Sequence, residues 1–355
     1  AGANQPTVTK QGFGQKGRVV VVGFLLRNSQ EIALADIPYQ ATLKDAQGAT
    51  ITTVTDTLDL LMPGQEFGVV AEAAVPASAK VAAVDVTVSA GAPIGVDSAL
   101  TLPVIANPSY GANAEVQGSQ PAAGSVLISQ ASRTVSDLLV TALLFNDQGE
   151  IIGGGRGWVD GIDAGAEVGA RVQALAGGEP TEVGMFAALT KGSIGKKPAA
   201  PKPPDNVMTL PYFGQKIQEL PQDHVPGSKR VEYNSNPPTS GPHWQVWAAW
   251  GVYEGTTPFD EQFVHNLEHG GVVISYNPDK LSDEQFIEVF DAYKRMRKIN
   301  FRIILAERKD LPNLIAVASW GYLLTLESAD IGAIEGFFIA HYARGPECSG
   351  GICPP

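Results

Sequence analysis

The sequence predicts a multidomain protein: two tandem antiparallel β-sandwiches of the immunoglobulin-like type, followed by an α+β domain at the C-terminus. Three observations predict this fold class: an internal repeat in the N-terminal part, strand-like apolar patterns within it, and helical apolar spacing confined to the C-terminal part. The 355 residues are enough for two or three domains. The predicted divisions are residues 1–103 (first sandwich), 104–192 (second sandwich), 193–205 (linker) and 206–355 (α+β domain).

An internal repeat identifies the two sandwiches. The segment Ala41–Ile51 (ATLKDAQGATI) is echoed by Ala142–Ile152 (ALLFNDQGEII), at an offset of 101 residues (142 − 41). The same offset recurs downstream, where Gly64–Glu66 aligns with Gly165–Glu167 (165 − 64). Two matches at one constant offset predict two copies of one structural unit.

Each copy shows the pattern of antiparallel strands joined by tight turns. Arg18–Leu26 is an apolar run, and Val81–Val88 alternates apolar and polar residues as a half-buried strand does. Carboxylates such as Asp45 and Asp147 lie in polar turns, where aspartate is a turn former rather than a ligand. Helix signals are almost absent, which favours two sandwiches of about 95 residues each.

Three segments of the first repeat carry a family resemblance: the strand Val20–Asn28, the turn Asp45–Gly48 and the segment Leu61–Gln65. On these segments the repeats resemble the FxLYD-type family of extracellular β-sandwich domains. The second repeat departs from the pattern because its first strand, Gly124–Gln130, lacks the aromatic residue. The resemblance implies spacer or interaction domains and transfers no catalytic residue.

Open sheet edges in repeated sandwiches favour self-association, so we expect a polymer or a surface assembly. The extended stretch Asn4–Lys10 offers one route, by adding a strand to a neighbouring copy. After the repeats, the proline-dense segment Lys196–Pro204 (KKPAAPKPP) predicts an extended, semi-rigid spacer.

Charge and hydropathy argue against nucleic-acid binding and against a transmembrane helix. The net charge is −12; residues 1–192 contain 10 Lys/Arg and 18 Asp/Glu, and residues 193–355 contain 15 and 19. An acidic chain without a basic stripe does not favour nucleic-acid binding. No apolar run reaches the length of about 18 residues that a transmembrane helix needs.

The chain opens Ala-Gly-Ala-Asn without Met, as the processed form of a secreted protein would.

The two cysteines lie in the C-terminal segment Cys348–Cys353 (CSGGIC). Four residues separate them and two are glycine, so a small-loop disulfide closes easily. A metal–thiolate pair is the other interpretation, but such sites usually need a second pair of cysteines. We expect the disulfide, and with it an extracellular or cell-surface location.

The C-terminal part has both helix and strand signals. Ser282–Gln285 (SDEQ) is a capping box that opens a helix running to about Lys298. Phe301–Leu305 and Leu314–Trp320 have the composition of buried strands, and a second helix begins near Ser328. This mixture predicts an α+β domain.

Histidine is confined to the C-terminal part, because residues 1–223 contain none, and four of the five histidines fall within residues 224–269. His265 and His269 are four residues apart, which places both imidazoles on one helix face. His224 and His243 precede them in Pro- and Gly-rich loops. We predict a metal site formed by His224, His243, His265 and His269, with copper as the ion and zinc as the second choice.

Other residues near the cluster receive supporting roles. Glu268 is expected to orient one of the imidazoles from outside the ligand set, and Gly270 to end the helix at the site. The fifth histidine, His341, lies on an apolar helix face and is expected to be a core residue. The tryptophans around the cluster (Trp244, Trp247, Trp250 and Trp320) are expected to pack in the core beside the site.

Two alternatives to a metal-binding structural domain stay open. The first is a metal-dependent enzyme, either a hydrolase or a copper oxidase, which needs an open coordination position. In one version His265-Asn-Leu-Glu-His269 is the H-x-x-E-H pattern of inverted zinc peptidases, with Glu268 as general base and Glu335 as the third ligand. The second is a metal-free extracellular binding module stabilised by the histidines and tryptophans.

Residues 224–347 carry a second family resemblance, spread over long motifs. The motifs are His224-Val-Pro, Tyr233-Asn, Pro237-Pro-Thr-Ser-Gly-Pro-His243, Gly251-Val-Tyr, Val264-His-Asn-Leu-Glu-His-Gly-Gly271 and Gly345-Pro-Glu347. They resemble the bacterial domain of unknown function 3105. The resemblance implies an exported or membrane-tethered domain of uncharacterised role, with the four clustered histidines and Glu268 at motif positions. The Cys348–Cys353 tail and the two sandwiches depart from that pattern.

Overall fold

The structure, a computed structural model, describes residues 4–112, 121–195, 213–348 and Cys353. These residues divide into two compact units. One contains residues 4–111 and 121–195 and therefore both repeats, and the other contains residues 213–348 with Cys353. Residues 196–205 of the expected linker lie outside the described residues, and the expected domain boundaries stay predictions.

The first repeat forms a sandwich of antiparallel sheets. Its strands are β1 (Thr7–Lys16), β2 (Val19–Arg27), β3 (Ala33–Lys44), β4 (Thr50–Leu61), β5 (Glu66–Ala74), β6 (Ala83–Val88) and β7 (Ala92–Ile94). One sheet has the order β1-β2-β5; in the other, β3 lies between β4 and β6 and also pairs with β7. Apolar side chains from both sheets form one core, in which the rings of Phe24 and Tyr39 meet edge to face at 5.3 Å.

The second repeat builds the same arrangement. Its strands are β8 (Val104–Gly111), β9 (Ala122–Ile128), β10 (Val135–Phe145), β11 (Ile151–Ile162), β12 (Glu167–Gln173), β13 (Leu175–Ala176) and β14 (Glu182–Ala188). One sheet has the order β12-β9-β8 and the other β13-β11-β10-β14. A second core lies between them, with Leu127 from one sheet and Leu144 from the other. The expected pair of antiparallel sandwich-like units is confirmed.

The offset between the repeats recurs in the structure. Strands β4 and β11 begin at residues 50 and 151 and end at 61 and 162, again 101 residues apart. The turns before them each need a glycine, because Gly48 and Gly149 have φ angles of 82° and 71°. Asp45 and Asn146 begin these turns and accept hydrogen bonds from backbone amides within them. Aspartate in the first turn is therefore a turn former.

The N-terminal segment pairs within its own chain. Strand β1 runs antiparallel to β2, with Thr7 opposite Arg27 and Lys16 opposite Val19. Addition of Thr7–Lys10 to a neighbouring copy would therefore require these pairings to exchange. Self-association stays a prediction.

The C-terminal unit is a mixed sheet with helices. Its strands are β15 (Gln215–Lys216), β16 (His224–Val225), β17 (His243–Trp244), β18 (Gly251–Tyr253), β19 (Val272–Tyr276), β20 (Ile303–Glu307), β21 (Ile315–Ser319) and β22 (Tyr322–Leu326). The large sheet has the order β15-β22-β21-β19-β20-β18. Strand β19 is parallel to β20 and antiparallel to β21, and all five of its residues are buried. Strands β16 and β17 form a separate parallel pair.

Three helices accompany this sheet in the described part of the unit: α1 (Asp260–Glu268), α2 (Asp283–Ile299) and α3 (Ile331–His341). The predicted capping box at the start of α2 is present, since Ser282 accepts from the Gln285 amide and the Gln285 side chain accepts from the Ser282 amide. Helix α3 begins at Ile331, within the predicted Ser328–Ile331 segment, and Asp330 caps it by accepting from the amide of Ala333. No helix in the described residues is long and apolar enough to cross a bilayer.

Candidate metal centre

The short strands β16 and β17 bring the first two histidines together. They pair in parallel with His224 directly opposite His243, so the two side chains are neighbours in register. The ring centroids lie 4.8 Å apart in an edge-to-face arrangement. The His243 ring is fully buried, whereas the His224 side chain is 44% exposed. The pair therefore spans from the interior to the surface.

Helix α1 supplies the next three side chains of the site. Its C-terminal end carries His265 and Glu268, and His269 is its C-cap. Gly270 follows with a φ of 72°, a left-handed conformation that ends the helix as the sequence predicts. The helix is held by Asn266, whose amide group exchanges two hydrogen bonds of 2.9 Å with the backbone of Ala248. The side chains of His265, Glu268 and His269 thus project from a buried helix that is fixed to the backbone of Ala248.

Three imidazoles and one carboxylate converge at this point. The ring centroids of His224, His243 and His265 form a triangle with sides of 4.8, 5.2 and 5.0 Å. With Glu268 they offer ligand atoms that all lie within 4.8 Å of one another. Three of the four residues are buried. This buried group of three histidines and one glutamate could hold a metal ion.

Hydrogen bonds fix the tautomers of the two buried rings. The Nδ1 atom of His243 lies 2.8 Å from the carbonyl oxygen of Gly241, and that of His265 lies 2.6 Å from the carbonyl oxygen of Trp244. A carbonyl oxygen only accepts, so both Nδ1 atoms carry hydrogen and donate it. In the neutral rings each Nε2 therefore presents a lone pair to the cluster. Metal-ligating histidines usually have this arrangement, with the other ring nitrogen donating to a carbonyl or carboxylate.

His243 has an acceptor at each end of its ring. Its Nε2 atom lies 2.8 Å from Oε2 of Glu268, while its Nδ1 already donates to Gly241. Without a cation between them, the Nε2 lone pair and the carboxylate would repel unless a further proton were bound. A metal ion accepts electron pairs from both atoms at once, so the donor set fits a cation.

Burial and charge shift the titration of the site in directions that suit a metal. Burial lowers the pKa of His265 to about 4. The hydrogen bond to the Trp244 carbonyl raises this pKa in part, and the neighbouring rings of His269 and His243 lower it further. Burial alone would raise the pKa of Glu268. With a second proton on His243, its Nε2 donates to this carboxylate; that hydrogen bond and the nearby imidazoles outweigh burial, so the pKa of Glu268 lies below its ordinary value. At neutral pH the site holds a neutral imidazole and an ionised carboxylate, both ready to bind a cation.

His269 lies beside this group rather than within it. Its Nε2 atom is 3.0 Å from Nε2 of His265 and 3.2 Å from Oε2 of Glu347. With Glu268 and Glu347 it forms a second set whose ligand atoms lie within 4.8 Å of one another. The structure thus places Glu268, which the sequence assigned to a supporting role, among the potential ligands. The role of His269 as a ligand of the first ion stays a prediction.

Glu347 is the potential ligand that sequence reasoning missed. Its one signal in the sequence is its position in the Gly345-Pro-Glu347 motif. Immediately after it, Cys348 forms the expected disulfide with Cys353 at an S–S distance of 1.97 Å. The disulfide is consistent with an extracytoplasmic protein.

His341 and Glu335 have partners outside the two potential ligand groups. His341 is buried on α3, where its Nε2 donates to the carbonyl oxygen of Phe213 over 2.8 Å. Glu335, the third ligand in the peptidase interpretation, forms an ion pair with Arg295 and belongs to neither potential ligand group among the described residues.

The tryptophans divide between core and site wall. Trp244 is buried and its Nε1 donates to the carbonyl oxygen of Lys229. The ring of Trp247 lies 5.4 Å from that of His265 and 5.6 Å from that of His269, so it lines the site. The expected core packing therefore holds for Trp244, whereas Trp247 contacts the imidazoles themselves.

Comparison with known proteins supports the second resemblance noted in the sequence. Residues 224–353 match the family described as "Protein of unknown function (DUF3105)". The C-terminal unit carries a DUF3105 domain. The matched range includes the histidines of both ligand groups, Glu268 and Glu347. The FxLYD-type resemblance of the repeats gains no support from a family match.

No curated protein matches the chain. Among solved structures, red sea bream transglutaminase is similar at 9% identity with a TM-score of 0.19, over 53% of this chain and 29% of that one. An anti-sigma factor domain-containing protein is similar at 10% identity with a TM-score of 0.15, over 52% of this chain and 90% of that one. Both TM-scores are low, so neither likeness bears on fold or function.

Proposed function

We propose that this is an extracellular or cell-surface protein whose DUF3105 domain binds a transition-metal ion through His224, His243, His265 and Glu268. The observation that carries the proposal is the pair of buried rings whose Nδ1 atoms are committed to backbone carbonyls. In the neutral rings this leaves Nε2 of His243, which lies 2.8 Å from the Glu268 carboxylate, and Nε2 of His265 as electron-pair donors. A buried carboxylate among three imidazoles also balances part of the charge of a divalent ion.

Copper is the ion we propose first, with zinc second. Three imidazole nitrogens and one carboxylate oxygen suit either ion, and neither thiolate nor thioether belongs to the ligand groups found in the described residues. For a given site of this kind, divalent copper binds more tightly than zinc. A competition titration with both ions would rank them, and a site that holds zinc against an equal amount of Cu(II) would reverse the order.

Removal of one buried ligand tests the proposal. His243→Ala takes away the ring that contacts the Glu268 carboxylate, so we expect chelator-washed and reloaded protein to lose the bound metal. His341→Ala is the matched control, because His341 is also buried in the same unit, donates to the carbonyl oxygen of Phe213 and belongs to neither ligand group. Equal metal contents in the two variants, measured by elemental analysis, would reject the site.

An enzymatic role is the second candidate, favoured by the exposure of one ligand. His224 is 44% exposed, and its Nε2 lies 3.9 Å from Glu268, farther than that of His243. A catalytic ion keeps three protein ligands and an open position for water or substrate. If His224→Ala retains metal, a solvent-reachable position exists and a hydrolase or copper oxidase becomes the better proposal. If it releases metal, the four-ligand structural site stands.

For the N-terminal sandwiches we propose a structural role. In the described residues of that unit, no three His, Cys, Asp or Glu side chains are close enough to hold a metal ion. Self-association through sheet edges is part of the same proposal, since β3 is the one strand that pairs with β4 among the described residues. Deletion of residues 1–10 should leave folded monomers if the N-terminal strand exchanges between copies. Unchanged assembly in light scattering would reject that route.

A further inference from the structure

Beside the proposed ion, and resting on that proposal, we infer a second metal position, so that the DUF3105 domain holds a dinuclear centre. Its ligands are Glu268, His269 and Glu347, whose ligand atoms lie within 4.8 Å of one another. Glu268 belongs to both ligand groups and is therefore the bridge. Two-metal centres typically have ions about 3.5–4 Å apart, a separation that one bridging carboxylate spans.

Contacts between the two groups support a shared centre. The Nε2 atoms of His265 and His269 lie 3.0 Å apart, although His265 belongs to the first group and His269 to the second. Because Nδ1 of His265 donates to Trp244, its Nε2 presents a lone pair in the neutral ring. In the proposal that lone pair binds the first ion, and the neighbouring Nε2 of His269 lies 3.2 Å from Oε2 of Glu347. The two ligand groups are therefore in direct contact, as a shared centre requires.

The C-terminal tail is built closely against the end of α1, which places Glu347 at the site. A Cβ atom on Gly345 would lie 2.0 Å from the carbonyl oxygen of Glu268, so only glycine permits this approach. The amide of Glu347 lies 3.4 Å from that same oxygen. On the other side, the sulfurs of Cys348 and Cys353 would lie 2.6 and 2.8 Å from a Cβ on Gly270, the residue after His269. The disulfide therefore holds the tail where the carboxylate of Glu347 meets His269.

The two proposed metal positions have the same pattern of buried and exposed ligands. Each group has buried ligands and one ligand at the surface, His224 in the first and Glu347 in the second. Their side chains are 44% and 42% exposed, whereas Glu268 between them is 4% exposed. Each ion can therefore reach its position from solvent, and the shared carboxylate is held in the interior.

The number of copper ions per chain tests the inference. Full-length protein is washed with chelator, loaded with Cu(II) and dialysed, and we expect about two ions per chain, as a two-metal centre requires. Glu347→Gln should bind about one, since the exposed carboxylate serves only the second position. Glu335→Gln is the matched control, because Glu335 pairs with Arg295 on the same unit, and it should still bind two.

Electron paramagnetic resonance gives a second readout. Two Cu(II) ions bridged by one carboxylate couple magnetically, so the signal of an isolated ion should be weak in the wild type and recovered in Glu347→Gln. One ion per chain in both the wild type and Glu347→Gln, with an isolated-ion signal, would overturn the second position and leave the first intact. No retained metal in the wild type would overturn the first position as well.

Discussion

Two fully buried polar side chains, one in each unit, show the difference between a structural group and a binding group. Asn28 in the first sandwich and His243 in the C-terminal unit both have 0% exposure. The Nδ2 group of Asn28 donates to the carbonyl oxygens of Ile32, Leu61 and Met62, and its Oδ1 accepts from the amide of Gln30. His243 instead faces an acceptor at each ring nitrogen. Burial is the same, but each contact of Asn28 joins a donor to an acceptor, whereas a neutral His243 ring has one hydrogen for two acceptors.

This difference extends to the two units. In the N-terminal unit the repeated turns use Asp45 and Asn146 to satisfy backbone amides, so polar residues serve the fold. In the C-terminal unit, three imidazoles and a carboxylate bring their potential ligand atoms within 4.8 Å of one another. Such a group is costly to bury without a cation and is stabilised by one. The chemistry of the protein is therefore expected in the C-terminal unit.

The largest expected effect is stabilisation of the C-terminal unit alone by metal. At a free metal concentration about 1,000 times Kd, binding should raise its free energy of unfolding by about 4 kcal/mol. Tryptophan fluorescence can follow this, because four of the five tryptophans (Trp244, Trp247, Trp250 and Trp320) lie in that unit. Equal stabilisation in His243→Ala would show that the ion acts elsewhere.

A second effect concerns acid, and it separates His341 from the metal centre. Burial lowers the pKa of His341 to about 4 from an ordinary value near 6.5. As pH falls from 6.5 to 4, the unfolded chain takes up the proton first, so stability is lost in that window. The loss should be about 3 kcal/mol for this residue. We expect the stability difference between wild type and His341→Gln, measured by urea unfolding, to shrink by that amount between pH 7 and pH 4. A constant difference would contradict the shift.

In the first sandwich, Asn28→Ala should be destabilising without affecting metal. The substitution leaves buried carbonyl oxygens without their donor, at a cost of about 2 kcal/mol in the free energy of unfolding. Ser29→Ala, at the exposed neighbouring residue, is the control. Circular dichroism during denaturation measures the change, and elemental analysis should show an unchanged metal content. Loss of metal in Asn28→Ala would break the division of roles between the units.

The smallest effect tests the repeated turn. Gly48→Ala places a side chain where φ is 82°, although a Cβ there meets no atom within 4 Å, so the cost is one of backbone conformation alone. We expect a loss of about 1 kcal/mol. Gly95→Ala is the matched control, since it also has open space but no positive φ. Equal stabilities of the two variants would remove the conformational explanation for the repeated glycine.

The sequence predicted those features that depend on local patterns. The capping residues Ser282 and Gln285 located α2, and the i, i+4 spacing of His265 and His269 placed both on the end of one helix. The 101-residue offset predicted two copies of one fold because both copies keep their turn glycines.

Features formed by distant segments were not predictable in the same way. Helical spacing cannot decide which of Glu268 and His269 joins the other histidines, because both lie near His265 and their partners come from β16 and β17. Glu347 reaches the site only because the tail packs against α1 through Gly345. Neither contact leaves a periodic signal in the sequence.

The most direct test of the metal centre is X-ray absorption spectroscopy of the copper-loaded protein. We expect nitrogen and oxygen ligands at about 2.0 Å with the outer-shell scattering of imidazole, and no sulfur at about 2.3 Å. In His243→Ala, the imidazole scattering per chain should fall together with the metal content. Sulfur scattering, or an imidazole signal unchanged in His243→Ala, would contradict a site built from the three histidines and Glu268.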